Sequence, residues 1–193
     1  TNRDKFMLYL WPDADGEAAS RNFRVVFNHL SNVLEPERQP RMPCRFITRQ
    51  GTSYQLITGE ECFLDVSCFE TLLTKARTIV STQPQEAKRA LLEAMELYRG
   101  EYLAGENLDE ISLMERERLA KLALQGAEML AMLCIEQASF DEAIHWTEKI
   151  LQTDSCWEKA YQLQLICYGE AKNSVMLTRT YQRCLAGLDQ ELG

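Results

Sequence analysis

The sequence predicts a mainly α-helical protein in two parts: a helix–turn–helix with a β-hairpin, and then an array of α-helices. Three observations lead to this prediction. Apolar residues follow helical spacing over most of the 193 residues, and strand-like alternation is confined to residues 46–58. The charge is divided unevenly along the chain. A helical segment near the C-terminal end also resembles one that precedes it by about 35 residues.

The net charge of −8 conceals a basic module joined to an acidic one. Residues 1–60 hold eight basic and seven acidic groups, whereas residues 61–193 hold 13 basic and 22 acidic groups. Within residues 18–57, six arginines stand against only Glu35 and Glu37. The first part is therefore the candidate for contact with an anionic partner, and we do not expect the acidic part to contact phosphate.

The first helix is predicted over residues 2–10. It ends before Pro12, because proline disfavours helical backbone at the residue before it. After a turn at 13–16, a second helix runs from about Glu17 to Leu34. Its helical spacing predicts a buried apolar stripe, made of Ala19, Phe23, Val26, Leu30 and Val33. The opposite, polar and basic face carries Arg21, Arg24, Asn28 and Asn32, with Val25 among them.

Three prolines then interrupt the chain between residues 36 and 43, with Arg38, Arg41 and Arg45 interspersed. Short strands are predicted at residues 46–48 and 54–58. The hairpin tip at residues 49–53 contains Gly51, which accepts a positive φ readily.

Helices are predicted in the second part at about 66–81, 85–98, 109–137, 140–153, 157–171 and 174–191. With Ser139 aligned to Ser174, an offset of 35, Trp146 meets Tyr181 and Ile150 meets Leu185. A period near 34 residues is typical of tetratricopeptide-type helix pairs. We therefore expect four aromatic side chains to lie in the repeat core: Trp146, Trp157, Tyr161 and Tyr181.

No enzyme, metal site or cofactor is predicted from the sequence. The seven cysteines (Cys44, Cys62, Cys68, Cys134, Cys156, Cys167 and Cys184) form no C-x-x-C pair, and their odd number leaves one without a partner in any disulfide scheme. Phosphate-binding glycine motifs and hydrolase signatures are absent. The chain has no apolar run of membrane-spanning length, and residues 1–5 are polar and charged. A reduced, cytoplasmic protein is expected.

Several segments together resemble one known family. They are LWPDADGEAASRNFRVVFNHLSNVLEP (10–36), ITRQGTSYQL (47–56), LDVSCFETLL (64–73), ELYRGEYL (96–103) and LDQELG (188–193). In this order they resemble the bacterial transcriptional activator domain family, regulators similar to Streptomyces antibiotic regulatory proteins. The resemblance implies a partial winged helix of the OmpR type over residues 1–60 and tetratricopeptide-like repeats over residues 61–193. It also implies that the N-terminal strands and first helix of a complete winged helix have no counterpart in this sequence.

On that resemblance the helix at residues 17–34 is the recognition helix in the major groove of double-stranded DNA, and residues 47–57 form the wing on the flanking backbone. Arg21 and Arg24 would then reach guanine edges or phosphates, Asn28 would pair with adenine, and Val25 would meet a thymine methyl group. Asn32, Arg45, Arg49 and Thr52 complete the predicted DNA-binding set. The ordinary alternative for each residue is a solvated helix face or hairpin tip.

The function expected is that of a sequence-specific transcriptional regulator segment. Its repeats would mediate oligomerisation or contact RNA polymerase or other domains of a larger regulator, and no membrane partner is expected. The alternative is a helical-repeat module that binds a protein or an effector and carries a degenerate winged helix that no longer binds DNA. The overall negative charge and the uncharged Ser31 and Asn32 favour this alternative, whereas the basic helix face and basic loop oppose it.

Overall fold

A computed structural model describes residues 2–39, 41–57, 63–105 and 110–192. The chain divides into two compact units, Thr1–Leu64 and Asp65–Gly193. The boundary predicted between residues 60 and 61 lies outside the described residues, as do Thr58 of the second predicted strand and Cys62. The described residues are mainly helical, with one two-stranded sheet.

The first unit contains helices α1 (Arg3–Leu10) and α2 (Gly16–Leu34) and strands β1 (Ile47–Gln50) and β2 (Ser53–Leu56). The turn and both helices lie where the sequence predicts them. The side chain of Asp15 caps α2 by accepting a hydrogen bond of 2.7 Å from the backbone N–H of Ala18. Beyond α2 lies Pro36, which cannot donate a backbone hydrogen bond to continue a helix.

The hairpin is tighter than the sequence predicts. In the antiparallel register Ile47 pairs with Leu56 and Gln50 with Ser53, so the loop consists of two residues, Gly51 and Thr52. Gly51 has a φ of +62°, which fits the preference of two-residue hairpins for glycine at the first central position. An isolated bridge between Asn2 and Ser53 joins the start of α1 to the hairpin.

The predicted buried stripe of α2 is partly wrong. Ala19 and Phe23 are buried, but Val26, Leu30 and Val33 are 47%, 45% and 63% exposed. The buried side instead contains Ala19, Phe23 and Ser31, with Phe27 half-buried between them. This buried side faces an aromatic cluster, in which Tyr54 of β2 packs edge-on against Phe23 and Phe27, at ring centroid distances of 5.3 and 4.8 Å.

The second unit is an all-helical array within its described residues. It contains α3 (Asp65–Ile79), α4 (Pro84–Leu97), α5 (Glu110–Glu136), α6 (Phe140–Thr153), α7 (Glu158–Glu170) and α8 (Ser174–Leu192), close to the predicted ranges. Each helix packs on the next, and α5 also contacts α7. A single apolar core runs from α3 to α7, and alanines at the helix contacts allow close approach. This packing order is that of a helical repeat array.

The turns after α5 and α7 reveal a repeat of 34 residues. Ala138 and Lys172 both have positive φ, at +56° and +53°. The next residue in each turn donates its backbone N–H to a carbonyl near the end of the preceding helix, Ser139 to Cys134 at 2.8 Å and Asn173 to Tyr168 at 2.9 Å. These equivalent helix endings align Ser139 with Asn173, so the predicted offset of 35 is wrong by one residue.

The corrected offset explains a second departure from the prediction. Trp146 is buried at 7% exposure and aligns with Thr180, which is 3% exposed. Tyr181, which was expected in the core, follows Thr180 and is 54% exposed. Tyr161 is buried and Trp157 is half-buried, as the sequence suggests.

The six cysteines in the described part of the chain are free thiols, and Cys44, Cys134 and Cys167 are buried. Burial raises the pKa of the Cys134 thiol to about 11, with a smaller contribution from the nearby Glu142 carboxylate. Among the described residues no helix is long and apolar enough to cross a membrane.

Candidate nucleic-acid interface

Five of the predicted DNA-binding residues share one face of α2. Arg21, Arg24, Val25, Asn28 and Asn32 are all exposed, and Val25 is 66% exposed. At helical spacing they occupy an arc of about 100°. No acidic residue occurs between Glu17 and Glu35. The face is therefore accessible and contains two cations.

A first groove of about 930 Å³ opens between α2, the segment before β1 and the hairpin. Arg24, Arg45 and Arg49 line it, so three predicted site residues from three different elements lie around one opening. Arg3 also lines this groove, and Phe23, Phe27 and Tyr54 contribute aromatic surface. Its chemistry is that of an apolar surface bordered by fixed positive charges.

The hairpin orients its arginine through local contacts. The Nε of Arg49 donates a hydrogen bond of 2.9 Å to the carbonyl oxygen of Gly51, and its guanidinium lies 5.7 Å from the centre of the Tyr54 ring. Thr52 is tied to the start of α1, since its hydroxyl accepts a hydrogen bond from Asn2 Nδ2 at 3.3 Å and its carbonyl accepts one from Arg3 N at 2.8 Å. Thr52 therefore has a structural role in addition to its predicted one.

Glu35 holds Arg45 in position through its carboxylate. The backbone N–H of Arg45 donates to Glu35 Oε2 at 3.1 Å, and Arg45 Nε lies 3.7 Å from Glu35 Oε1. The guanidinium also lies 4.7 Å from the centre of the Phe46 ring. Its side chain remains 62% exposed, so the cation is held in position at the surface and its charge is partly balanced by Glu35.

Asn28 and Asn32 line a second groove, of about 720 Å³, together with Arg38 and Arg41. Arg38 Nη2 donates hydrogen bonds to Asn28 Oδ1 at 3.0 Å and to Asn32 Oδ1 at 2.7 Å. Its Nη1 donates to the carbonyl of Met42. The sequence treats Arg38 as one more charge in a basic loop, whereas the structure makes it the link between that loop and α2.

Three arginines that line these grooves lie outside the predicted DNA-binding set: Arg3, Arg38 and Arg41. Arg3 belongs to the first helix and reaches the hairpin side only because residues 2 and 3 bond to residues 52 and 53. For Arg38 the sequence does carry a signal: two asparagines four residues apart share a helix face, and an arginine follows six residues later.

The arrangement supplies hydrogen-bond donors and positive charge on a helix that projects from a small module. An α-helix with its side chains is about 10–12 Å in diameter, and the major groove of B-DNA is about 12 Å wide. Arg21 and Arg24 can donate to base edges or to phosphates, and a hairpin arginine beside the helix suits the flanking backbone.

The second unit is similar to a known protein family. No curated protein matches the chain. The profile of the bacterial transcriptional activator domain family matches residues 64–193, which cover all the described helices of the second unit. The match extends over more than half of the chain and includes the segments at residues 64–73, 96–103 and 188–193 that resemble this family. The chain therefore belongs to the bacterial transcriptional activator domain family.

Proposed function

We propose that this chain is a sequence-specific DNA-binding segment of a transcriptional regulator. In this proposal α2 enters the major groove and the hairpin contacts the flanking backbone. The observation that carries it is the convergence of Arg24, Arg45 and Arg49 on one groove beside the exposed face of α2. Family membership supports a role in transcription regulation.

The two units have different parts in this proposal. The basic face and the hairpin belong to the first unit, whereas residues 61–193 carry a net charge of −9 that opposes close contact with phosphate. The helical array is thus the part that would contact further copies of the chain, RNA polymerase or other domains of a larger regulator. No catalytic activity is proposed.

The test is selection from a random DNA library at two salt concentrations, using the full chain and its Arg21→Ala/Arg24→Ala variant. The wild type should enrich a defined site, and raising the salt should weaken binding because phosphate contacts release counterions. The double variant should lose or relax the site, since a good base contact contributes about 1–3 kcal/mol of discrimination.

The matched control is Arg89→Ala/Arg179→Ala, which removes the same charge from exposed positions of the second unit. This control should retain the site and its salt dependence. A folded wild type that enriches no sequence would exclude the DNA-binding proposal and support the alternative of a repeat module that binds a protein or an effector.

A further inference from the structure

Arg38 forms what we call the arginine clamp, defined by its hydrogen bonds to Asn28 Oδ1, Asn32 Oδ1 and the Met42 carbonyl. The clamp joins the segment after α2 to Asn28 and Asn32, two exposed positions on the face of α2 that holds the predicted DNA-binding residues. Its two asparagines are four residues apart, which places them one above the other on the helix. One guanidinium group can therefore reach both amides.

The clamp fixes which end of each amide points outward. An asparagine amide has an oxygen that accepts hydrogen bonds and an NH₂ group that donates two, whereas a guanidinium group only donates. Arg38 therefore selects the oxygen of each asparagine. The opposite end of each amide, Nδ2, is turned away from Arg38 with its N–H donors.

We propose that the arginine clamp makes Asn28 and Asn32 act as hydrogen-bond donors that favour guanine over adenine at the base pairs they contact. This inference rests on the proposed function of the same helix. Guanine presents two acceptors in the major groove, N7 and O6, whereas adenine presents the N7 acceptor beside the N6 donor. Bidentate pairing with adenine needs the amide oxygen and nitrogen side by side on the base. The hydrogen bond from Arg38 uses one of the two acceptor sites of each amide oxygen and fixes the orientation of the amide, which disfavours that pairing. The clamp thus replaces the adenine contact that the sequence suggests for Asn28.

The structure also contains the control that separates base reading from simple attraction to phosphate. Arg41 belongs to the same segment, is exposed and lines the same groove. Replacing either arginine by methionine removes one positive charge and retains much of the apolar stem. Both changes should weaken the attraction to phosphate equally for all sequences, but only the loss of Arg38 releases the two amides and should also change the base preference.

The experiment compares the full-chain wild type with Arg38→Met and Arg41→Met by selection and sequencing of bound DNA at one salt concentration. Asn28→Ala and Asn32→Ala identify the base pairs that depend on the two amides. At those pairs we expect guanine in the wild-type site and an approximately tenfold lower ratio of guanine to adenine with Arg38→Met, at the low end of what one good base contact discriminates. Arg41→Met should retain the ratio.

A second variant keeps the test valid if Arg38→Met unfolds the first unit. Asn28→Asp leaves a carboxylate oxygen for Arg38 and removes the donors, so it should keep the melting temperature and lose the guanine preference at its base pair. Failure of the wild type to enrich any site would overturn the proposed function, and this inference with it. A wild-type site whose guanine preference survives in Arg38→Met or Asn28→Asp would overturn this inference alone. A lower melting temperature with an unchanged preference would show that the clamp has only a structural role.

Discussion

At the scale of single residues, the second unit contains a polar contact that depends on one charge. Glu148 of α6 accepts two hydrogen bonds from Arg183 of α8, at 2.9 and 3.1 Å, and a third from Gln164 of α7 at 2.7 Å. One carboxylate thus joins three consecutive helices. The Arg183 guanidinium is the main reason that the pKa of Glu148 lies below its ordinary value, because it donates to the charged form.

We predict that Glu148→Gln destabilises the protein at neutral pH and does so less in acid. Glutamine keeps the shape and an acceptor but removes the charge. Because the pKa of Glu148 is lowered from 4.5 in the folded state, its stabilising contribution is complete above that value and is lost as the pH falls through the lowered pKa. Thermal unfolding of the wild type and of Glu148→Gln at pH 7 and at about pH 3 measures the difference in melting temperature at each pH.

The control for this prediction is Glu136→Gln, at an exposed position at the end of α5. Its effect on the melting temperature should be small at both pH values. An effect of Glu148→Gln that is equal at the two pH values would contradict the role assigned to the charge.

At the scale of elements, the hairpin and α2 are held together by aromatic contacts that sequence spacing alone does not specify. Tyr54 packs against two phenylalanines of α2, and this contact orients the helix about its axis. The polar face predicted from the spacing of Arg21, Arg24, Asn28 and Asn32 is exposed all the same. The face was predictable because arginine and asparagine avoid burial in any orientation of the helix.

The turn of the hairpin gives a prediction about backbone conformation. Gly51→Ala should destabilise the first unit by about 1–2 kcal/mol, because a residue with a Cβ resists positive φ. Gly16→Ala is the matched control, since an added Cβ meets no atom within 4 Å at either position and only Gly51 has a positive φ. Urea denaturation of the two variants measures the difference, and equal stabilities would show that the turn tolerates a side chain.

At the scale of the whole molecule, the arginine-lined grooves and the large apolar core belong to different units of the chain. The first unit combines a small aromatic core with the arginine-lined grooves, whereas the second buries one continuous core. That core is built largely from alanine and leucine contributed by five successive helices. Each pair of helices therefore depends on its neighbours for burial, as expected of a repeat array.

Truncation of one central side chain should consequently destabilise the second unit as a whole. Leu130 of α5 is fully buried, so Leu130→Ala should lower the free energy of unfolding by about 2–5 kcal/mol. Leu113→Ala on the same helix serves as control, because Leu113 is 45% exposed. Helical circular dichroism during urea denaturation reports both effects. Similar losses in the two variants would contradict the assignment of Leu130 to the core.

The sequence by itself determined the order and type of the elements, the basic face of α2, the division of charge and the family. These features depend on local propensity, on periodicity and on the ordered segments of the resemblance. Tertiary structure alone decided that Val26 and Val33 are exposed while Ser31 is buried, because packing against Tyr54 sets the rotation of α2. It also decided that Arg38 binds Asn28 and Asn32, since a contact that spans a turn depends on the path of the loop. Spacing indicates which residues share a face, but the facing element determines what that face contacts.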